Sequence, residues 1–265
     1  MEKMPGNIDT AKETFDAGIA RAKYLLRLHR GLIDTRQRKT RRDWASGFKM
    51  FMRWPQSSNV HRIDGRDALI VLRDGCELTP ADFKSEAMGD LLRAALVMAV
   101  SAMDAYFHAK IVRWVVTHSR NPSSHLLKQK ITVEDFLSAL QRTKKLTALQ
   151  SAIKRTLSYQ SLQDPDKIAE ALRLIGVSDF WDRIAKDGED KTELRTRLKQ
   201  IVGRRHQIAH EGDLSQSKKA RNRSRPICQK EVVDAVDFIS EVVTRAEIII
   251  NETIRSATRS SGAAR

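Results

Sequence analysis

The stretch GRRHQIAHEGD, Gly203 to Asp213, gathers the residues of this chain best able to do chemistry: two arginines, two histidines, and a helix exit through Glu-Gly-Asp. On a wheel at about 100° per residue, Leu194, Leu198, Ile201, Arg205 and Ile208 fall on one side, which puts Arg205 in the middle of an apolar stripe. A guanidinium there must meet a carboxylate, a partner subunit or a bound anion, because an uncompensated charge among apolar groups is costly. His206 and His210 project together at the edge of the stripe, and Gly203, one turn before them, leaves room for something to approach. Three chemistries fit these residues. Histidines at i and i+4 can hold zinc, although no third ligand stands at a sensible spacing and Glu211 is not placed as in H-E-x-x-H. A structural alternative has Arg205 salt-bridged inside the protein, with Asp104 as its carboxylate and the histidines favoured at the helix C-terminus. The third is RNA cleavage without a metal, in which an imidazole moves the proton of a 2′-hydroxyl or of the leaving 5′-oxygen and an arginine stabilises charge on the phosphorane.

The elements that must position these groups read as helices. Phe15, Ile19, Ala22, Leu26 and Ile33 form one stripe within residues 8 to 33. The segment from Glu86 to Thr117 is apolar nearly all round, the pattern of a central bundle helix, with Asp104 and Tyr106 as its exceptions. Thr132 with Asp135 predicts a capping box, Asp164-Pro165 opens a helix that Gly176 stops, and Ser178 caps the next. TELRTRLKQIVGRRHQIAH and KEVVDAVDFISEVVTRAEIIINETI are two C-terminal helices, the second with a core stripe at Val232, Val236, Ile239, Val243, Ala246 and Ile250. Between them runs a polar loop carrying Lys218, Lys219, Arg221, Arg223 and Arg225. Two features stand apart near the N-terminus. Five cations in RQRKTRR, residues 36 to 42, precede Trp44, Phe48 and Phe51 on one helical face, either a core face with solvated charges or a stacking and phosphate surface. VHRIDGRDALIVLRDG has an Asp-Gly turn signal between β-prone runs and predicts a small hairpin.

The composition sets the partner class. A formal charge of +15 and a pI near 10.1 attract polyanions, nucleic acid first and an anionic membrane surface second. The longest apolar stretch ends at Asp104 after ten residues, and a membrane-length window across it takes in Arg93 or His108, so a core helix is expected and no membrane span. Two isolated cysteines, Cys76 and Cys228, and an N-terminus without an apolar signal region point to a reducing, cytoplasmic setting. No cofactor or metal is expected. The fold class that follows is an all-α helical bundle in residues 86–258, preceded by a basic helical extension in 1–85 that contains the hairpin, and followed by a disordered tail in 259–265.

At Arg205 to His210 the chain resembles the R-x4-H motif of the HEPN superfamily, and ALVMAVSAMDAYFHAKIV, SLQDPDKIAEALRLIGVSDFWDRIA and the AHEGD exit are similar to its RiboL-PSP-HEPN branch. The resemblance covers roughly residues 86 to 255. It implies a HEPN-like helical bundle that dimerises about a two-fold axis, so that two motifs share one composite cleft. It implies a metal-independent endoribonuclease leaving 2′,3′-cyclic phosphate ends, commonly a toxin or antiviral-defence effector with an antitoxin or sensor protein as partner. Some members bind RNA or protein without cutting. By position, Arg205 and His210 are the catalytic pair and His206 occupies a polar slot where Asn is common in the family. Asp104 is expected, from helix pairing, to orient Arg205. Arg204, Lys218, Lys219, Arg221 and Arg223, with the run at 36 to 42, are expected to guide RNA.

Overall fold

The computed structural model describes residues 10–33, 36–118, 124–128, 130, 132–134, 137, 145–210, 212–213 and 224–263. Its centre is α3, Ser85–His118, against which α1, Thr10–Leu32, lies along much of its length. The sequence explains the fit. Phe15, Ile19, Ala22 and Leu26 of α1 are buried with Leu92, Ala95, Ala99, Met103 and Phe107 of α3. A Cβ on Gly18 would stand 2.7 Å from that of Ala102, so a small residue is required where the two helices approach. Burying each large apolar side chain contributes about 1.5–3 kcal/mol before entropy is counted. The stretch Glu86–Val115 has the length and hydropathy of a membrane-crossing helix, yet half of its 18-residue apolar window is buried in the bundle's core.

The remaining helices close around α3: α4, Ser124–Leu127; α5, Lys145–Ser158; α6, Pro165–Arg173; α7, Phe180–Ile184; α8, Lys191–His210; and α9, Gln229–Ala263. The expected start of α6 is present, with Asp164 accepting the Asp166 amide at 2.8 Å and Pro165 at the first helical position. Gly176 takes φ 80 just beyond that helix, a left-handed conformation suited to glycine. Asp179, not Ser178, is the residue at which α7 begins. The capping box expected at Thr132 and Asp135 lies partly outside the described residues. Helix α9 presents the predicted stripe, with Val236, Ile239, Val243, Ala246 and Ile250 all fully enclosed.

Two polar groups inside the bundle are satisfied across helices. Lys110, completely buried in α3, donates to Glu247 Oε1 of α9 at 2.7 Å, and the Tyr106 hydroxyl donates to Glu247 Oε2 at 2.6 Å. Asn251 adds a third donor to that carboxylate at 2.8 Å.

The N-terminal part divides differently from the expected 1–85 extension. Helix α1 belongs to the bundle core because its apolar stripe is continuous with that of α3. The appended unit is only the segment that follows: β1, Arg36–Arg38; α2, Arg42–Phe51; β2, Val60–Asp64; and β3, Leu69–Arg73. The predicted hairpin is β2 and β3, but β1 joins it as a third antiparallel strand, with Arg36 opposite Asp64 and Arg38 opposite Arg62. A three-residue strand of charged residues carries no alternating apolar pattern, which is why the sequence does not announce it. One face of the sheet packs Ile63 and Leu72 on Phe83 and Met88. The turn between β2 and β3 hangs on the end of α1, with the Arg66 amide bonded to the Ile33 carbonyl at 3.3 Å and Gly65 so close to Gly31 that a Cβ would meet its oxygen at 3.0 Å. The tail expected to be disordered from 259 continues α9 to Ala263, no proline standing in its way.

Candidate functional site

Helix α8 carries the Arg205 to His210 constellation. It is opened by Asp190, whose carboxylate accepts the Thr192 amide at 2.7 Å, and it packs on α3, α6 and α7. Leu198 is fully enclosed, and Leu194, Ile201, Val202 and Ile208 lie against the same core. The predicted stripe is therefore the buried face, and Arg205 sits within it, half-buried. Its Nε is enclosed and has no hydrogen-bond partner among the described residues. A charged donor left in that state costs free energy that a bound anion or an apposed surface would recover.

The opposite side of the helix is open. A Cβ on Gly203 would meet nothing within 4 Å, as the approach patch requires. His206 and His210 are exposed, their ring centroids 4.5 Å apart and their planes tilted by 38°. One helix end thus offers two imidazoles to solvent on one side and carries, on the other, a guanidinium whose Nε has no partner among the described residues.

Two expectations about the surroundings are corrected. Asp104 does not orient Arg205: its Oδ1 accepts the Leu162 amide at 2.6 Å, and the neighbouring His108 reaches the Leu157 and Gln160 carbonyls at 3.0 Å. This side of α3 faces the connection between α5 and α6, whose backbone groups need partners, and which way a helix is rotated among its neighbours is not written in its own periodicity. Arg204 does not point to solvent as an RNA ligand. Its Nη2 donates to Asp213 Oδ2 at 3.0 Å and its Nη1 lies 2.6 Å from Oδ1, an ion contact off the hydrogen-bonding direction. Burial lowers the Arg204 pKa from its ordinary value, Asp213 opposes that, and Arg225 and Arg93 push the same way as burial. Lys218, Lys219, Arg221 and Arg223 lie outside the described residues.

The residue around the site that sequence reasoning missed is Asp213, only 1% exposed. After His210 the chain turns through Gly212 and Asp213, with φ 61 and 55, conformations that glycine and aspartate tolerate. The Asp213 amide returns to the Gln207 carbonyl at 3.1 Å and caps the helix. Arg93 of α3 donates Nε to Asp213 Oδ2 at 2.6 Å and Nη2 to the Arg225 carbonyl at 2.7 Å. Arg225 in turn donates its amide to the Asp213 carbonyl at 2.7 Å and its guanidinium to Gln207 Oε1 at 2.5 Å. One buried carboxylate therefore ties α3, the end of α8 and the far side of the basic loop together. The signal available in the sequence was the Gly-Asp pair just after a helix, read there only as an exit.

Comparison with known proteins bears on this arrangement. The model of the RiboL-PSP-HEPN family matches residues 72–252, which takes in the core helix, the Arg205 to His210 helix, the Asp213 turn and most of α9. The chain belongs to the RiboL-PSP-HEPN family. The fold class and the resemblance read at Arg205 to His210 stand accordingly, as an all-α HEPN bundle. No curated protein and no solved structure matches the chain. The HEPN match begins within β3, so β1, α2 and β2 lie beyond it.

Chemically, this HEPN site can bind a phosphate and move protons. The neighbouring histidines supply proton donor and acceptor groups, and Arg205 supplies a permanent cation. Among the described residues no group of three His, Cys, Asp or Glu side chains is placed to hold a metal ion.

Proposed function

We propose that this HEPN protein is a metal-independent endoribonuclease working as a homodimer with a composite active site. The observation that carries the reading is Arg205, a charged donor inside an apolar stripe with its Nε unsatisfied, on the helix that ends in the exposed His206 and His210. Residues 205 and 210 are separated by about 140° around the helix and about 7.5 Å along it. One helix therefore does not aim both at one phosphate, whereas two copies related by a two-fold axis supply Arg205 and His210 from both sides of a shared cleft.

In the reaction a histidine accepts the proton of the 2′-hydroxyl as its oxygen attacks phosphorus. The bond from phosphorus to the 5′-oxygen breaks, a second protonated imidazole donates to that oxygen, and the products carry a 2′,3′-cyclic phosphate and a 5′-hydroxyl. Arg205 stabilises the charge gathering on the phosphorane, an effect of about 10²–10³ in rate for one well-placed donor. Proton transfer by His210, with His206 as the second imidazole, contributes about 10²–10⁴. The basic loop that carries Lys218, Lys219, Arg221 and Arg223 supplies backbone contacts to RNA. In the cell the enzyme is a cytoplasmic toxin or antiviral-defence effector, restrained or triggered by an antitoxin or sensor protein.

The test is incubation of wild type, Arg205→Ala and His210→Ala with total cellular RNA in excess EDTA, followed by analysis of fragment ends. Cyclic-phosphate ends from wild type, reduced at least a hundredfold in both variants, are expected. Equal cleavage by all three would remove the catalytic assignment, and RNA retention without cleavage by wild type would make the HEPN domain a binding module.

A further inference from the structure

The unit of α2 and the three strands lies largely outside the family match, and none of its residues takes part in the chemistry above. Residues 36–73 hold ten Lys and Arg against three Asp, so this short segment supplies about half of the chain's net charge. The pairing register puts Arg36, Arg38, Arg62 and Arg73 on one face of the sheet, since partners across strands share a face. With them stands a single strand carboxylate, Asp64, which pairs with Arg62 at 2.7 Å and Arg38 at 3.5 Å and leaves the face net positive. The other face is the one committed to Ile63, Leu72 and Phe83.

Helix α2 lies over the arginine face. Arg62 sits 5.4 Å above the Trp44 ring, Trp44 stacks on Phe48 with centroids 5.1 Å apart, Phe48 meets Trp54 edge-on at 5.7 Å, and Arg73 covers Trp54 at 5.7 Å. The outcome is a continuous ladder of cations and rings. It is not a closed core, because no residue of α2 is buried and Phe51 at its end is 82% exposed. A helix with a ring-bearing face and no buried residue is incomplete by itself.

The charge decides what completes it. A second copy of the same face would bring like charges together, which disfavours self-pairing. A polyanion with planar groups answers both features, since arginines take phosphates and ring faces take unstacked bases. We infer that the α2 and sheet unit is a docking platform for single-stranded RNA, separate from the cleavage site and fixed to the bundle through the Gly65 turn on α1. The inference rests on RNA being the ligand of this chain and is independent of cleavage.

The experiment is fluorescence anisotropy with labelled 20-nucleotide oligo-U RNA, full-length protein carrying His210→Ala and excess EDTA, so that loss of catalysis and loss of docking are read apart. Phe51→Ala is expected to weaken binding about tenfold, within the range for one stacked base. Arg36→Glu with Arg38→Glu is expected to weaken it more than tenfold and to reduce the slope of log Kd against log salt by about 1.4, two phosphate contacts' worth for a single strand. A charge-matched control on the bundle, Lys154→Glu with Lys167→Glu, is expected to keep the starting affinity. Unchanged binding in both platform variants, or an equal loss in the control, would overturn the inference. Sedimentation with phosphatidylserine vesicles provides the other arm: vesicle binding lost in Phe51→Ala while RNA affinity holds would make the face a lipid contact instead.

Discussion

Two helices of this protein carry a cation within an apolar surface, and they treat it in opposite ways. Lys110 of α3 is wholly buried and meets Glu247 from α9, a carboxylate that Tyr106 and Asn251 also hold. Arg205 of α8 is half-buried, and its Nε has no hydrogen-bond partner among the described residues. A buried charge with its counter-ion inside the same fold is part of the architecture. One whose Nε finds no partner among the described residues is open to a ligand from outside, and here it stands on the helix that presents two exposed histidines.

The comparison is broken most directly at Glu247. Glu247→Ala strands Lys110 in the core, and a loss of about 3–5 kcal/mol is expected in urea denaturation. The paired change Lys110→Met with Glu247→Leu should restore most of it, because two apolar side chains need no ion partner. Arg205→Met, by contrast, should leave stability within about 1 kcal/mol of wild type while cleavage is lost. A destabilisation by Arg205→Met as large as that of Glu247→Ala would place both cations in the same structural class.

Asp213 lies between the two cases, a buried carboxylate held by the buried Arg93 and the partly exposed Arg204. Asp213→Ala is expected to lose about 2–3 kcal/mol, less than Glu247→Ala because Arg93 keeps Asp90 and the Arg225 carbonyl as acceptors and Arg204 keeps the Pro226 carbonyl. Hydrogen exchange is expected to rise at the amides of the last turn of α8, since the cap on Gln207 is lost with the turn. Unaltered exchange there would separate Asp213 from the placement of His210.

The smallest effect belongs to a surface pair. Hydrogen bonding from Arg245 holds the Glu189 carboxyl down to about 2 from its ordinary 4.5. The unfolded chain then takes up the proton first, so this contribution is complete above about pH 4.5 and fades as the pH falls toward 2. Glu189→Gln should flatten the decline of Tm across that window and change little at neutral pH, where exposed pairs contribute little. An unchanged acid slope would remove Glu189 from the acid response.

Much of this was present in the order of residues. The stripes of α1 and α9, the apolar length of α3, the Asp164-Pro165 helix start and the place of Arg205 on the buried side of α8 all follow from period and local chemistry, which neighbours in sequence determine. What tertiary structure alone decided involves residues far apart in the chain. Asp104 serves the Leu162 amide 58 positions away instead of Arg205, and Asp213 holds Arg93 across 120 positions. Strand β1 exists because β2 offers it an edge, and α1 belongs to the bundle because Gly18 meets Ala102. Periodicity says which face of an element is apolar. The rotation and partners of its polar groups are set only when the other elements pack around it, where each buried donor and acceptor must find a mate.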